Sequence, residues 1–242
     1  MATVVGYERP AVLDTALELL SAPGFVALAG GTRLNGVETP EPVVVVDLQA
    51  LDLDRIDRLD GTTLAIGATT TLERLAEEPR LPAAIREAAR RELPSTLRAA
   101  ATIGGCIATG LGDSELLALL LVHEAQVELA TAASRAVESL DELLDRGGPD
   151  GGELITRVKL KTSGESACVR TARTGADRPI VAAAARRPPA GEPLLALAGV
   201  TDRPLLAPDV EEIEPLRDFR GSTEYRRHLV AVLAERALEA VS

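Results

Sequence analysis

Two short stretches of this chain carry residue types suited to chemistry: "ALAGGTRLNG", residues 27–36, and "ATIGGCIATG", residues 101–110. In each, an apolar run that reads as a strand enters two adjacent glycines, Gly30-Gly31 and Gly104-Gly105. Adjacent glycines reach positive φ and let the backbone come close to a ligand. Successive exposed N–H groups in such a turn form a concave anion site suited to phosphate. Two such loops fit the two halves of a pyrophosphate, with the Thr32 and Thr102 hydroxyls as further donors. Neither loop is a P-loop, since no Gly-Lys-Ser/Thr follows, and neither fits G-x-G-x-x-G with an acidic residue on the next strand. On these residues alone two readings stay open, a site for some phosphate ligand and a pair of ordinary tight turns.

The other reactive side chains offer less. Cys106 and Cys168 form no close pair and no C-x-x-C is present, so the sequence supplies no iron–sulfur or structural zinc site and no metal ligand set. His123 and His228 fall on predicted helices without a His or Cys at ligand spacing and read as packed or solvated residues. No G-x-S-x-G frame supports a hydrolase. The Arg-Arg pairs at 90–91, 186–187 and 226–227 read as solvated faces, Tyr225 as a packing anchor for the last helix, and Cys168 as a small core residue of a strand.

The elements that position the glycine loops follow from patterning. Helical spacing marks residues 11–22, "TTLERLAEEP", "LPAAIREAARREL", "SELLALLLVHEA" with Ser114 as N-cap, and the terminal "TEYRRHLVAVLAERALEAV". Strands are expected at "FVALA", 41–48, after the turn in "DGTTLAIGA", around 100–103, at "AQVELAT" and at "ELITRVKL". "RPIVAAAARR" and "EPLLALAGV" read as two strands or a strand and a helix. "DRGGPDGGE", residues 145–153, is a loop. The fold class is α+β.

A chain of 242 residues with 46% hydrophobic and 26% charged residues buries a real core. Its net charge of −11 argues against nucleic acid as a partner, and 2% aromatic residues argue against a surface built on stacking. The first residues lack the basic and apolar regions of a signal peptide, no apolar stretch is long enough to cross a bilayer, and the cysteine usage fits a reducing cytoplasm.

"ALAGGTRL" together with "ATIGGCIATGLGDSELL" resembles the FAD-binding subunit of molybdenum-containing hydroxylases, the medium-subunit family of carbon monoxide dehydrogenases that is also fused within xanthine dehydrogenases. The family's loops read roughly AGGTDL and TIGGN. The similarity runs in order through "YERPAVLDTALELL", "VVVDLQALDLDRI", "LAIGATTTLERLAE", "VRTARTGADRPIVAAAA" and "GSTEYRRHLVAVLAERAL". It implies a two-lobed FAD-binding domain over residues 1–165, with lobes of about 1–55 and 56–165, and a small α/β C-terminal domain over 166–242. Carried over by position, Ala29, Gly30, Gly31, Thr32, Arg33 and Leu34 form one pyrophosphate loop, and Thr102, Ile103, Gly104, Gly105 and Cys106 the other. Glu115 stands where the family has an Asp that contacts the ribose, Arg170 where it has a Lys near the flavin ring, and Arg98 at a basic position before the second loop. Arg33 replaces the family's Asp with a cation that can pair with phosphate, and Cys106 and Ala99 replace Asn.

The resemblance implies an FAD-carrying electron-transfer subunit of a molybdenum hydroxylase. It would take electrons from [2Fe–2S] clusters on a small subunit, served by a molybdopterin-binding large subunit, and pass them to an acceptor such as NAD or a quinone. Three other readings share the same residues: a member that has lost FAD and serves as a structural or assembly partner, a stand-alone flavin oxidoreductase, and a nucleotide-binding module of another kind.

Overall fold

A computed structural model describes residues 3–33, 41–207, 209–210 and 212–242. The chain opens with β1 (Val4–Glu8), α1 (Leu13–Leu20), β2 (Phe25–Leu28) and β3 (Val43–Asp47). These strands form a three-stranded parallel sheet in the order β1-β3-β2. The apolar face of α1, Ala16, Leu17 and Leu20, packs on Val46, Leu48 and Leu51 and also on Ala130 and Leu154 of the next sheet.

The second unit runs β4 (Ile56–Arg58), β5 (Thr63–Gly67), α2 (Leu72–Glu77), α3 (Ala83–Glu92), α4 (Ser95–Arg98), α5 (Ile103–Thr109), α6 (Glu115–Val122), β6 (Gln126–Ala130), β7 (Arg135–Ser139), α7 (Leu140–Asp145) and β8 (Leu154–Lys161). Its five strands pair antiparallel in the order β4-β5-β8-β6-β7. Hydroxyl caps start α2, α5, α6 and α7: Ser114 Oγ accepts from the Leu117 N–H, as its position before "ELLALLLV" predicts, and Ser139 closes a capping box with Glu142. The third unit is β9 (Glu165–Thr171), β10 (Val181–Arg187), β11 (Leu194–Ala198) and β12 (Leu205–Leu206), antiparallel in the order β12-β11-β10-β9, followed by α8 (Thr223–Glu239).

Tertiary packing settles the ambiguity of the alanine run. β10 is buried on both faces: Ala182 and Ala184 join the core around α6, while Val181, Ala183 and Ala185 join the core beneath α8. A helix presses on each face, so small side chains let the layers close. All eight residues of α6 are buried, which matches a helix that is apolar all round.

The strand expected around 100–103 is reduced to one bridge, Thr71 to Thr102. Beyond it Gly104 and Gly105 sit in the first turn of α5. Adjacent glycines disfavour helix locally. Here the Thr102 cap, which accepts from the Gly105 N–H at 3.1 Å, and a buried helix face of Ile103, Gly104 and Ile107 override that preference.

His123 ends α6 fully buried. Its Nδ1 lies 2.5 Å from the Lys161 carbonyl, and its Nε2 has no partner among the described residues. Burial pushes its pKa down to about 4. The unfolded chain binds this proton near pH ~6.5, so the folded state's advantage is complete above that pH and is lost as pH falls toward 4. Relative to a His123→Asn variant, the wild type should lose about 2 kcal/mol more stability between pH 7 and pH 5. Thermal melts of both proteins at the two pH values check this, and parallel losses would exclude the ring as the titrating group.

Candidate cofactor-binding site

A cavity of about 460 Å³ lies between the first and second sheets. Ala29, Gly30, Gly31, Thr32 and Arg33 form one wall as they leave β2. Thr102, Gly104, Gly105 and Cys106, at the start of α5, form the facing wall. The chain thus brings both glycine loops to one site, although Gly30 and Gly104 stand 74 residues apart in sequence. Leu34 falls outside the described residues.

The two glycines of each pair have different tasks. A Cβ at Gly30 would lie 1.8 Å from the Ala100 carbonyl oxygen, and one at Gly104 would lie 2.8 Å from both Cβ and O of Ala68. These first glycines let backbone pack on backbone. Gly31 has φ +66°, and a Cβ at Gly105 would meet only the Thr102 hydroxyl at 3.1 Å. The second glycines shape the cavity surface.

The donors expected of both loops are present in one. In the second loop the Ile103 N–H goes to the Thr70 carbonyl, Gly104 to Ala68, Gly105 to the Thr102 hydroxyl and Cys106 to the Thr102 carbonyl. Starting α5 at this point consumes them, although the Thr102 hydroxyl keeps its own proton to donate. In the first loop the N–H groups of Gly30, Gly31, Thr32 and Arg33 have no hydrogen-bond partner among the described residues. Gly31 between them is left-handed, the conformation that an anion nest requires of one of its residues. Arg33 has no ion-pair partner among the described residues, which leaves a cation beside that nest. These features suit a phosphate-bearing cofactor: free donors and a free charge on one wall, and a face bare of side chains opposite.

Three further charged residues line the cavity: Glu92, Arg178 and Glu153, the last paired with Arg146 at 2.8 Å. Glu92 accepts from Ser114 Oγ at 2.9 Å and from Arg178 Nη2 at 3.1 Å. Burial raises its pKa despite the guanidinium beside it. Arg178 also holds Asp113 at 2.9 Å. Glu92 was legible as an anomaly, because it falls on the helical face of Ile85, Ala88 and Ala89 that α3 buries. Arg178 comes from a loop and carries no local signal. Burial, with the Glu92 carboxylate adding to it, pushes the Cys106 thiol far above its usual range, so it is no nucleophile at neutral pH.

Other positions singled out in the sequence lie elsewhere. Ile103 is wholly buried in the core below α5. Glu115 and Arg170 are brought together but do not line the cavity: the buried Glu115 carboxylate is 2.9 Å from Arg170 and 2.9 Å from Arg91, with the Cys168 thiol 3.9 Å away. Arg98 bonds Glu73 and the Arg90 carbonyl and ties α4 to its neighbouring helices.

The division of labour between the glycines is testable on the protein alone. Gly30→Ala and Gly104→Ala should each cost ~1–3 kcal/mol through forced backbone movement, lowering Tm by roughly 3–10 °C. Gly105→Ala should melt close to the wild type, because its new methyl group meets no backbone, only the end of the Thr102 side chain. Three equal melting curves would refute the assignment.

Comparisons with known proteins show the family. Residues 3–160 match the family model described as the FAD binding domain in molybdopterin dehydrogenase. The uncharacterized protein YgfM of Escherichia coli K12 is 31% identical over 245 residues, covering 93% of this chain and 92% of that one. The glyceraldehyde dehydrogenase medium chain of Sulfolobus acidocaldarius is 26% identical, covering 98% of each chain. A chain of the reconstituted CO dehydrogenase from Oligotropha carboxidovorans superposes with a TM-score of 0.89 at 25% identity, covering 100% of this chain and 98% of that one. Quinoline 2-oxidoreductase from Pseudomonas putida 86 shares the fold, with a TM-score of 0.86 at 23% identity. The chain therefore belongs to the family of FAD-binding domains of molybdopterin dehydrogenases: it is an oxidoreductase flavoprotein subunit, and its cofactor is FAD.

Proposed function

We propose that this chain is the electron-transfer subunit of a molybdenum hydroxylase complex, passing electrons from [2Fe–2S] clusters on a small partner chain through FAD to an acceptor such as NAD or a quinone. A large molybdopterin-binding chain completes the complex. The observation that carries the reading is the facing pair of glycine loops, with free amides and Arg33 on one wall and Gly105 on the other. Two relatives support it, since one is a glyceraldehyde dehydrogenase medium chain and another is part of a CO dehydrogenase. No helix among the described residues is long and apolar enough to cross a membrane.

Bound flavin supplies the redox chemistry, accepting electrons and passing them on. The protein's residues bind and orient it. The amides of Gly30 to Arg33 and the Arg33 guanidinium hold the pyrophosphate, with Thr32 and the free proton of the Thr102 hydroxyl beside them. Gly105 leaves room, and Cys106 stays a neutral thiol against the ligand. Leu34 continues the first loop in this proposal, and Ile103 anchors the second from beneath. Glu115 and Arg170 act from behind the wall. They neutralise each other, and Ser114, next to Glu115, donates to the cavity carboxylate Glu92. The same proposal divides the chain into a two-lobed cofactor domain to about residue 165 and a C-terminal domain from 166.

Purified wild type should carry FAD, read as flavin absorbance near about 450 nm. Gly105→Val should lose that absorbance while melting near the wild type, because its side chain enters the cavity and not the core. Arg33→Ala should weaken FAD binding about tenfold, which corresponds to about 1.4 kcal/mol. Stoichiometric FAD in Gly105→Val would overturn the pyrophosphate assignment. A folded wild type that takes up no FAD on reconstitution would favour a structural partner role.

A further inference from the structure

The cofactor cavity carries an acid beside the place proposed for the pyrophosphate. Glu92 lines it together with Gly105 and Cys106, yet only 4% of the Glu92 side chain is exposed. The charges of Glu92, Arg178 and Arg33 all bear on the thiol of Cys106, the residue next to Gly105. A buried carboxylate at that point opposes an anionic ligand, because like charges repel strongly where water is excluded.

The partners of Glu92 tolerate the loss of its charge. One carboxylate oxygen accepts from Arg178 Nη2 and the other from Ser114 Oγ. Arg178 holds a second acid, Asp113, at 2.9 Å, so it stays paired whatever Glu92 does. A protonated carboxyl keeps acceptor capacity for the Ser114 hydroxyl. The ion pairs continue from Asp113 through Arg220 and Asp218 to Arg226. Three acids thus alternate with three guanidiniums. The row is neutral while Glu92 is ionised, and it carries one positive charge at the cavity once Glu92 is protonated.

The protein without ligand already leans toward that change. Burial raises the Glu92 carboxyl, outweighing the Arg178 guanidinium and the Ser114 hydroxyl, and Asp113 adds to the rise. The other groups around it hold their state near neutral pH. Guanidiniums stay charged, and Cys106 stays a neutral thiol. Burial opposes it, but hydrogen bonds from Arg146 and the Asp150 N–H keep the Glu153 carboxyl below its ordinary value. Arg91 on α3 and Arg170 on β9 face Glu115, while Glu73 on α2 and Arg98 on α4 pair with each other. Both histidines lie elsewhere, His123 at the far end of α6 and His228 exposed on α8.

We propose that Glu92 is the proton acceptor of the cofactor site: FAD binds with uptake of one proton by the Glu92 carboxylate, which leaves the charge of Arg178 to the phosphates. This rests on the pyrophosphate assignment above. The proton comes from solvent and bonds to a carboxylate oxygen. Linkage fixes the sign of the pH dependence. The bound state holds the proton more tightly than the free state, so affinity falls as pH rises above the free-state pKa of Glu92. For one proton the fall is at most about tenfold per pH unit.

The test titrates FAD into the full chain stripped of flavin, by isothermal titration calorimetry from about pH 5.5 to about pH 8.5. Buffers of different ionisation enthalpy report the protons exchanged. The wild type should take up close to one proton per FAD within that range, and its Kd should rise roughly tenfold or more across it. Glu92→Gln, with its fold checked by thermal melt, should bind FAD more tightly than the wild type at the highest pH and show a flat profile. The proton count on the wild type needs no variant, so the inference stays testable if Glu92→Gln does not fold. A wild type that binds FAD with no proton uptake, or with proton release, would overturn the inference and leave the pyrophosphate assignment standing. Uptake that persists in Glu92→Gln would overturn Glu92 as the acceptor. A folded wild type that binds no FAD at any pH would overturn both.

Discussion

The whole site depends on one close approach, Gly30 against the carbonyl of Ala100. No side chain fits there, since a Cβ would stand 1.8 Å from that oxygen. The contact joins the end of β2 in the parallel sheet to the segment that leads into α5 in the antiparallel unit. Gly104 makes the matching contact inside that unit, against Ala68. With backbone packed on backbone at both places, the two walls of the cavity are set by covalent geometry and not by adaptable side chains. Rigid walls suit a cofactor site, because the donors are ordered before the ligand arrives.

The same economy explains why the two loops are unequal. Opening α5 at Thr102 uses the amides of Ile103 to Cys106 within the fold. Among the described residues the amides of Gly30 to Arg33 and the Arg33 guanidinium have no such partner. Among the described residues one wall carries unpaired amides and a cation, while the other gives shape. That Arg33 stands where the family has an acid fits this division, because a cation strengthens the wall that already holds the free donors.

A chain of alternating charges ties the cavity to the C-terminal helix: Glu92, Arg178, Asp113, Arg220, Asp218 and Arg226. Arg226 ends it in the core, fully buried and donating to the carbonyls of Ile180 and Gly199. Each member is stabilised by its neighbours. Removing one would leave a buried charge uncompensated, which is the costly case for buried ion pairs. The network makes the third sheet and α8 part of the environment of the cavity, although they lie far from the glycine loops in sequence.

The sequence by itself determined the glycine pairs, the apolar periodicities of α1, α3 and α8, the Ser114 cap and the order of family segments. These are local signals, since φ preference, capping and amphipathic spacing act within a few residues. It also held a clue at Glu92, an acid on the buried face of α3. Tertiary structure decided the rest. The alanine run became a strand because helices close on both of its faces, which no single-segment pattern reveals. The presumed strand before Gly104 became a helix start because Thr70 and Ala68, more than 30 residues earlier, take its first amides. Glu115 and Arg170 turned to each other once burial made an uncompensated charge costly. Arg178 reached the cavity only because the β9–β10 loop folds back over α3. Long-range contacts assign partners to groups whose local sequence leaves them free, so the residues able to bind were legible early, and those still free to bind emerged only from the fold.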